Sequence, residues 1–327
     1  MTAPEEDASD KREAPDNTSF ARPSVRNAVS RSCLSLTRAG IRYCPMPAVR
    51  RLLWDYVVEP YFRDRSNEFI ARTFFGGIII GDSKDLIESY LYYFGIWEPH
   101  LTHWIETSLK PGDTFIDVGA NIGYYSLLAS NLVGDSGCVV AIEASAPLFG
   151  RLGRNLSRNR ASNVRAINFA VSDVRGVVSV YAAHDYNRGK TSILPLEDFP
   201  LEGSVDCAPL PELLRPAEIE HARIIKIDVE GAEYAVVSGL RAMLEATQHD
   251  LEIVVEISPQ RLAEIGKDAR DIIGYFVDAG FYPYTLENDY SPSSYLKRYA
   301  VSRPRRLRTD LLYMTDVIFS RRDVVTL

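Results

Sequence analysis

The stretch Asp113-Thr-Phe-Ile-Asp-Val-Gly-Ala-Asn-Ile-Gly-Tyr-Tyr-Ser126 decides the fold of this chain. It begins as an apolar strand that ends near Asp117, and it continues as a helix that starts near Tyr124. Between them, Gly119 and Gly123 bracket a turn, and glycine permits both a sharp turn and the close approach of a ligand. Because ligands of open α/β sheets lie at the carboxyl ends of the strands, we expect Asp117 to face a ligand, where its carboxylate suits an ammonium group.

A second acidic residue supports a nucleotide-like ligand. Glu143 ends the next apolar run, 24 residues after Gly119, and a carboxylate at that place can accept both hydroxyls of a ribose. Asn121 stands where a dinucleotide fingerprint has its second glycine, and the spacing is not G-x-G-x-x-G. An NAD-dependent enzyme, such as a nucleotide-sugar oxidoreductase, is therefore the weaker alternative, and glycines that only make a tight turn are the plainest one.

Strand and helix signals alternate after this motif. The apolar runs are near-continuous, which is typical of parallel strands covered on both faces, and helical stretches separate them. The runs cover residues 114–118, 138–143, 164–171, 224–228 and 251–257, and the helices lie near 124–133, 146–159, 232–247 and 261–279. Two last strands, 281–286 and 316–320, have no clear helix between them. We therefore predict an α/β fold with a doubly wound, mostly parallel seven-stranded sheet and an antiparallel edge strand.

Three regions follow from the composition along the chain. Residues 1–32 are polar and rich in proline, so we expect a disordered N-terminal tail. Residues 33–110 mix helical signals with a hairpin at 72–82 and are predicted to form a cap, whose aromatic residues belong to the core. Residues 111–327 form the ligand-binding domain, in which 183–210 and 287–315 are long polar connections.

Bulk properties limit the class of protein. The net charge of −7 counts against a nucleic-acid partner, and the four scattered cysteines form no C-x-x-C pair. The N-terminus has no apolar segment typical of a secretory signal, and no run reaches the roughly 18 apolar residues of a membrane span. We expect a cytoplasmic protein without a membrane span, and its oligomeric state stays open.

Four segments resemble the FkbM-type methyltransferases: DVGANIG (117–123), VAIEA (140–144), NFAVSD (168–173) and IKIDVEGAE (225–233). The resemblance extends from about residue 75 to 321 and includes GIWEP (95–99). It implies a class I, Rossmann-like methyltransferase that uses S-adenosylmethionine (SAM) and mostly O-methylates sugars, glycans or natural products. The SAM-binding residues that it implies are Asp117, Gly119, Asn121, Gly123 and Glu143, with Ser172 and Asp173 near the adenine.

Methyl transfer to a hydroxyl requires help in removing its proton. Asp228, Glu230 and Glu256 are the candidate catalytic residues, since they lie at or near the carboxyl ends of two neighbouring predicted strands. We predict no metal, although such an acidic cluster is also compatible with Mg²⁺. Glu233 is interpreted as an acidic residue that favours its helix dipole.

Two departures from the family pattern leave the acceptor open. Pro211 lies in PLPE (209–212), where the family has Thr-Leu-Asp, and Ser258 stands where it often has histidine. The acceptor is expected to be a small molecule or a glycan, and N-methylation is an alternative to O-methylation. A second alternative is a catalytically impaired, methyltransferase-like scaffold protein. His184 and the basic cluster 303–308 are ordinary loop residues in the plainer interpretation.

Overall fold

The computed structural model describes residues 25–63, 65–182, 191–193, 199–247, 250–287, 289–297 and 301–327. The N-terminal part consists of helices around one hairpin. In chain order its elements are α1 (Val25–Tyr43), α2 (Pro47–Leu53), a π-helical turn (Trp54–Val58), α3 (Glu59–Tyr61), β1 (Glu68–Arg72), β2 (Ile78–Asp82), α4 (Leu86–Tyr93) and α5 (Pro99–Ser108). Helix α1 begins within the predicted tail, and the rest of that tail lies outside the described residues.

The remaining elements form an α/β unit. They are β3 (Thr114–Val118), α6 (Tyr124–Val133), β4 (Cys138–Ile142), α7 (Ala146–Asn159), β5 (Val164–Ile167), β6 (Ala170–Val171), β7 (Gly176–Ala182), β8 (Thr191–Ser192), β9 (Leu201–Ala208), α8 (Leu210–Leu213), α9 (Pro216–Glu220), β10 (Ala222–Ile227), α10 (Glu233–Ser238), α11 (Arg241–Ala246), β11 (Glu252–Ile257), α12 (Pro259–Glu264), α13 (Ala269–Asp278), β12 (Tyr282–Leu286), α14 (Pro292–Leu296), β13 (Arg305–Arg306) and β14 (Thr315–Ser320).

Eight of these strands form one sheet in the order β13-β12-β14-β11-β10-β3-β4-β5. The pairs from β11 to β5 are parallel, so the sheet is mostly parallel as predicted. The count differs from seven because the two-residue strand β13 pairs with β12. The position of the antiparallel strand was also predicted wrongly. Strand β14 lies between β11 and β12 rather than at the edge, and it is antiparallel to both.

The predicted strand 164–171 is split between two sheets. Its first half is β5, whereas β6 joins a separate four-stranded sheet, β6-β9-β7-β8. The cause is Asn168, whose side-chain amide donates to the carbonyls of Glu143 and Ala144 at 2.8 and 3.1 Å and ends the strand. The small sheet occupies part of the region that we expected to be a polar connection.

Both faces of the large sheet are buried, which explains the continuous apolar runs. Along β3, Phe115 belongs to the core that includes helices α6 and α7 and the cap, whereas Ile116 belongs to the core under α10 and α13. Most of the cap aromatics are buried as expected, Trp54 and Tyr93 among them, but Tyr56 and Tyr61 are exposed. No helix in the described part of the chain is long and apolar enough to cross a membrane.

Candidate active site

The glycine turn brings two strand ends into contact. Gly119 has a φ of 82°, and a Cβ at this position would lie 1.8 Å from the carbonyl oxygen of Asp228. Only glycine allows the end of β3 to pack this closely on the residue after β10. Gly123 also has a positive φ, 88°, and it packs against the side chain of Leu152 on α7. The two glycines therefore allow both the backbone conformation and the close packing of the turn.

Glu143 is fixed by the same turn. Its Oε2 accepts a hydrogen bond from the backbone N–H of Asn121 at 2.7 Å, and its Oε1 accepts one from Ser145 at 2.9 Å. Asn121 adopts a left-handed conformation, φ 52°, which aims its N–H at the carboxylate. The side chain of Glu143 is buried, and burial raises its pKa to about 7. Each carboxylate oxygen retains a lone pair for a further donor.

A cavity that is open to solvent lies at the carboxyl ends of β3, β4 and β10. Five of the predicted site residues line it: Gly119, Asn121, Glu143, Asp228 and Glu230. The others do not contribute to its described lining: Asp117, Gly123, Ser172, Asp173 and Glu256. The cavity therefore brings together Glu143, which was predicted to bind a ribose, and two of the candidate catalytic acids, Asp228 and Glu230.

Asp117 lies beneath the cavity. Its side chain is 1% exposed, and its Oδ2 accepts a hydrogen bond from the hydroxyl of Ser126 at 2.6 Å. Its Oδ1 is buried without a hydrogen-bond partner. Burial raises the pKa of Asp117, and the nearby Lys226 opposes this rise. A buried carboxylate oxygen without a donor is a place where a ligand donor is expected.

An apolar slot forms the other end of the cavity. Ile142, Phe169 and Val171 line it, and the small sheet adds Val180 and Ser192. Sequence reasoning missed the residues from the small sheet because it interpreted 183–210 as a polar connection and predicted no second sheet. Ser172 and Asp173, predicted near the adenine, lie just past the slot, where the hydroxyl of Ser172 donates to Asp173 at 3.2 Å.

The three candidate catalytic carboxylates converge. One oxygen each of Asp228, Glu230 and Glu256 lies within 4.8 Å of the others. Burial, together with the charges of Asp228 and Glu230, raises the pKa of Glu256 well above its ordinary value. The cluster is close enough to share one proton or one cation, and its geometry alone does not assign a metal.

Two cations that sequence reasoning missed pair with this cluster. Lys226 Nζ lies 2.8 Å from Asp228 Oδ2, and Arg261 Nη2 lies 2.8 Å from Glu230 Oε2. Lys226 is buried inside an otherwise apolar strand. That position was the available signal, since a buried lysine is rare unless it is paired.

Glu233 holds the loop that carries Glu230. Its carboxylate accepts hydrogen bonds from the backbone N–H groups of Val229 and Gly231 at 3.3 and 3.0 Å. This contact stabilises Glu230 in a left-handed conformation, φ 55°. Glu233 is also the first residue of α10, which agrees with its interpretation as an acidic residue that favours the helix dipole. Its contacts with the loop are a further role.

The cap contributes one further acid, Glu98. Its side chain is buried and accepts hydrogen bonds from the hydroxyls of Tyr125 at 2.5 Å and Tyr290 at 2.8 Å. Glu98 belongs to the GIWEP segment, whose Trp97 lines the cavity. The cap is therefore part of the site.

The two departures from the family pattern lie at different distances from the cavity. Pro211 lies within α8 and does not line it. Ser258 caps α12, where its hydroxyl accepts from the backbone N–H of Arg261 at 3.5 Å, so it supports the helix that presents Arg261. His184 lies outside the described residues.

Comparison with known proteins adds a family. The sequence model of the methyltransferase FkbM domain matches residues 117–283, more than half of the chain. No curated protein matches the sequence.

The solved structures to which this chain has some similarity include methyltransferases. The methyltransferase FkbM of Methylobacillus flagellatus is 13% identical with a TM-score of 0.43, over 90% of this chain and 60% of that one. A SAM-dependent O-methyltransferase of Thermotoga maritima is 14% identical with a TM-score of 0.39, over 79% and 84% of the two chains. A putative methyltransferase of Streptococcus mutans, solved with S-adenosylhomocysteine (SAH), is 10% identical with a TM-score of 0.37, over 71% and 99%.

The match of the family sequence model begins at Asp117 and includes the glycine turn, Glu143 and the acidic cluster. This chain belongs to the FkbM methyltransferase family.

Proposed function

We propose that this protein transfers a methyl group from SAM to a hydroxyl of a sugar, glycan or secondary metabolite. Family membership supports methyl transfer and implies SAM as the donor. The observation that carries the proposal is the single cavity in which Glu143 and Asp228 face the same space across the glycine turn. Glu143 is placed to hold the donor, and Asp228 is placed to act on the acceptor.

The cavity lining and the buried Asp117, which precedes the lining residue Val118, fit SAM in three places. The apolar slot of Ile142, Phe169 and Val171 suits the adenine, and the free lone pairs of Glu143 suit the ribose hydroxyls. The unpartnered Oδ1 of Asp117 suits an ammonium group. When bound, SAM supplies an already activated methyl group, so the protein's main task is to position the acceptor.

Asp228 is the proposed general base. Its side chain is 29% exposed and lines the cavity, and Lys226 fixes one of its oxygens. Glu256 lies beside it, outside the cavity lining, and its raised pKa suits a group that shares a proton with Asp228. Glu230, paired with Arg261, bounds the acceptor side.

An acceptor panel tests this proposal. Sugars, glycans and phenolic compounds are incubated with methyl-labelled SAM, and transfer is measured at saturating SAM. We expect Asp228→Asn to lower the rate at least about 100-fold, whereas Asp206→Asn, at an exposed carboxylate of β9, leaves it unchanged. Wild-type rates in Asp228→Asn would remove Asp228 from the mechanism. SAM binding without transfer to any acceptor would favour the scaffold function.

A further inference from the structure

Lys226 occupies an unusual position for a charged residue. It is the next-to-last residue of β10, between two isoleucines, and its side chain is 4% exposed. Burying an ammonium group is costly unless partners compensate for the lost water. Its Nζ lies 2.8 Å from Asp228 Oδ2 and 5.1 Å from the ring centre of Tyr125. Lys226 also lines the cavity.

Carboxylates from three separate elements surround this lysine. Asp228 follows β10, Asp117 lies opposite Lys226 in the register of β3, and Glu98 precedes α5 in the cap. Burial lowers the pKa of Lys226, but Asp228, Asp117 and Glu98 outweigh burial and raise it above its ordinary value. Lys226 is therefore charged; it pairs directly with Asp228 and acts electrostatically on Asp117 and Glu98.

The cluster has fewer cations than anions. One ammonium serves three carboxyl groups, and burial raises the pKa of Asp117 and of Glu98. Oδ1 of Asp117 still has no donor. A second cation at this place would therefore be bound strongly. SAM carries two cationic groups, the sulfonium and the α-ammonium, at its methionyl end.

We propose that Lys226 is a positioning residue that gathers Asp117, Asp228 and Glu98 into a negatively charged cluster, and that this cluster binds the cationic methionyl end of the cofactor. The inference rests on the proposed SAM-dependent function and adds to it a role for the lysine and for the cap. Glu98 acts at a distance, since Tyr125 and Tyr290 hold it outside the cavity lining.

Three ligands separate the two ends of the cofactor in titration calorimetry. SAM and SAH carry the α-ammonium, whereas 5′-methylthioadenosine keeps adenine and ribose and lacks the methionyl end. In Lys226→Met the carboxyl groups lose the cation that keeps them ionised and together. We expect SAM and SAH to bind at least tenfold more weakly and methylthioadenosine to bind within threefold of wild type.

Arg223→Met is the matched control. Arg223 lies on the same strand and pairs with the buried Glu252 at 3.0 Å, away from the cavity. Its loss removes a partly buried cation without touching the cluster, so all three affinities should stay within threefold of wild type. Equal weakening of all three ligands in Lys226→Met, or no change in any, would overturn the proposal.

Glu98→Gln distinguishes this cluster from direct binding of the ligand's carboxylate by Lys226, and it serves as well if Lys226→Met does not fold. If the cluster binds cations, removing one negative charge should weaken the binding of SAM and of SAH at least threefold. If Lys226 instead bound the ligand's carboxylate, the same variant would bind SAM and SAH more tightly, and that result would contradict the proposal. Failure of the wild type to bind methylthioadenosine or SAM would instead refute the proposed function.

Discussion

At Gly119 the backbones of two strand ends meet, and no other residue fits there. A Cβ would lie 1.8 Å from the carbonyl oxygen of Asp228, and the φ of 82° is itself strained for other residues. We expect Gly119→Ala to lower the free energy of unfolding by about 3 kcal/mol or more. Gly150→Ala is the control, because its Cβ meets nothing within 4 Å and it lies in α7. In urea unfolding, Gly150→Ala should raise the free energy of unfolding by up to about 1 kcal/mol. Equal free energies of unfolding for Gly119→Ala and Gly150→Ala would refute this account of the turn.

The pKa of Glu143 predicts how nucleoside binding depends on pH. Burial raises this pKa to about 7. In the proposed binding mode the ionised carboxylate accepts the ribose hydroxyls, so lowering the pH from 8 to 6, which protonates Glu143, should weaken methylthioadenosine binding about tenfold. Glu143→Gln should bind weakly at both pH values. Calorimetry over this range checks the dependence, and a constant wild-type affinity would mean that Glu143 does not contact the ribose.

Single side chains divide into those that sequence reasoning could place and those that it could not. Glu143 was placed because strand ends and glycines have a clear pattern. The orientation of Asp117 was not predictable, because its burial depends on Ser126, nine residues later on α6. Glu98 was missed because its hydrogen-bond partners, Tyr125 and Tyr290, are far from it in the sequence. Lys226 was missed although its direct partner, Asp228, is only two residues away, because the other acids that act on it lie on separate elements.

At the scale of elements, long apolar runs were easier to predict than pairing partners. Strand β3 has the predicted bounds, since its five residues are all buried. The position of β14 between β11 and β12 depends on long-range strand pairing, which the pattern of a single sequence does not give. The small sheet was missed because β6 and β8 have only two residues each, and because β7 and β9 are mostly exposed and have no continuous buried apolar run.

The side chain of Asn155, on helix α7, connects the cap with the glycine turn. Oδ1 of Asn155 accepts from the N–H of Ile80 in β2, and its Nδ2 donates to the carbonyl of Ile122. Asn155→Ala leaves both buried backbone groups without partners and should cost about 2 kcal/mol in urea unfolding. Arg154→Ala, exposed on the same helix, should change stability by less than about 0.5 kcal/mol. Similar values for both variants would contradict this role of Asn155.

The whole molecule carries several buried acids, and these predict its stability against pH. Burial raises the pKa of Glu88, Glu143 and Glu233 to about 7 from an ordinary 4.5. The folded state therefore holds protons that the unfolded state releases, so the stabilisation is complete below about pH 4.5 and is lost as the pH rises through 7.

We expect the melting temperature to be at least about 3 °C lower at pH 8 than at pH 5.5. Glu143→Gln should reduce that difference, since it removes one of the three groups. Calorimetric scans without ligand measure both, and a higher melting temperature at pH 8 would contradict the assignment of these acids.

The division into tail, cap and catalytic domain stays a prediction, as do the acceptor class and the cytoplasmic location. The structure adds that the cap residues Ile87 and Trp97 line the cavity together with the α/β unit. The strand-end motifs could be predicted because strands and helices alternate in a repeating pattern. The positions of the cap and of the acceptor-side loops could not, because they depend on tertiary contacts.

Titration calorimetry with SAM and SAH, on the wild type and on Glu143→Ala, tests the central claim most directly. Glu106→Ala, at an exposed acid of α5, is the control. We expect the wild type and the control to bind both ligands with micromolar dissociation constants and Glu143→Ala to bind at least tenfold more weakly. A folded wild-type protein that binds neither ligand would contradict the claim that this cavity holds a methyl donor.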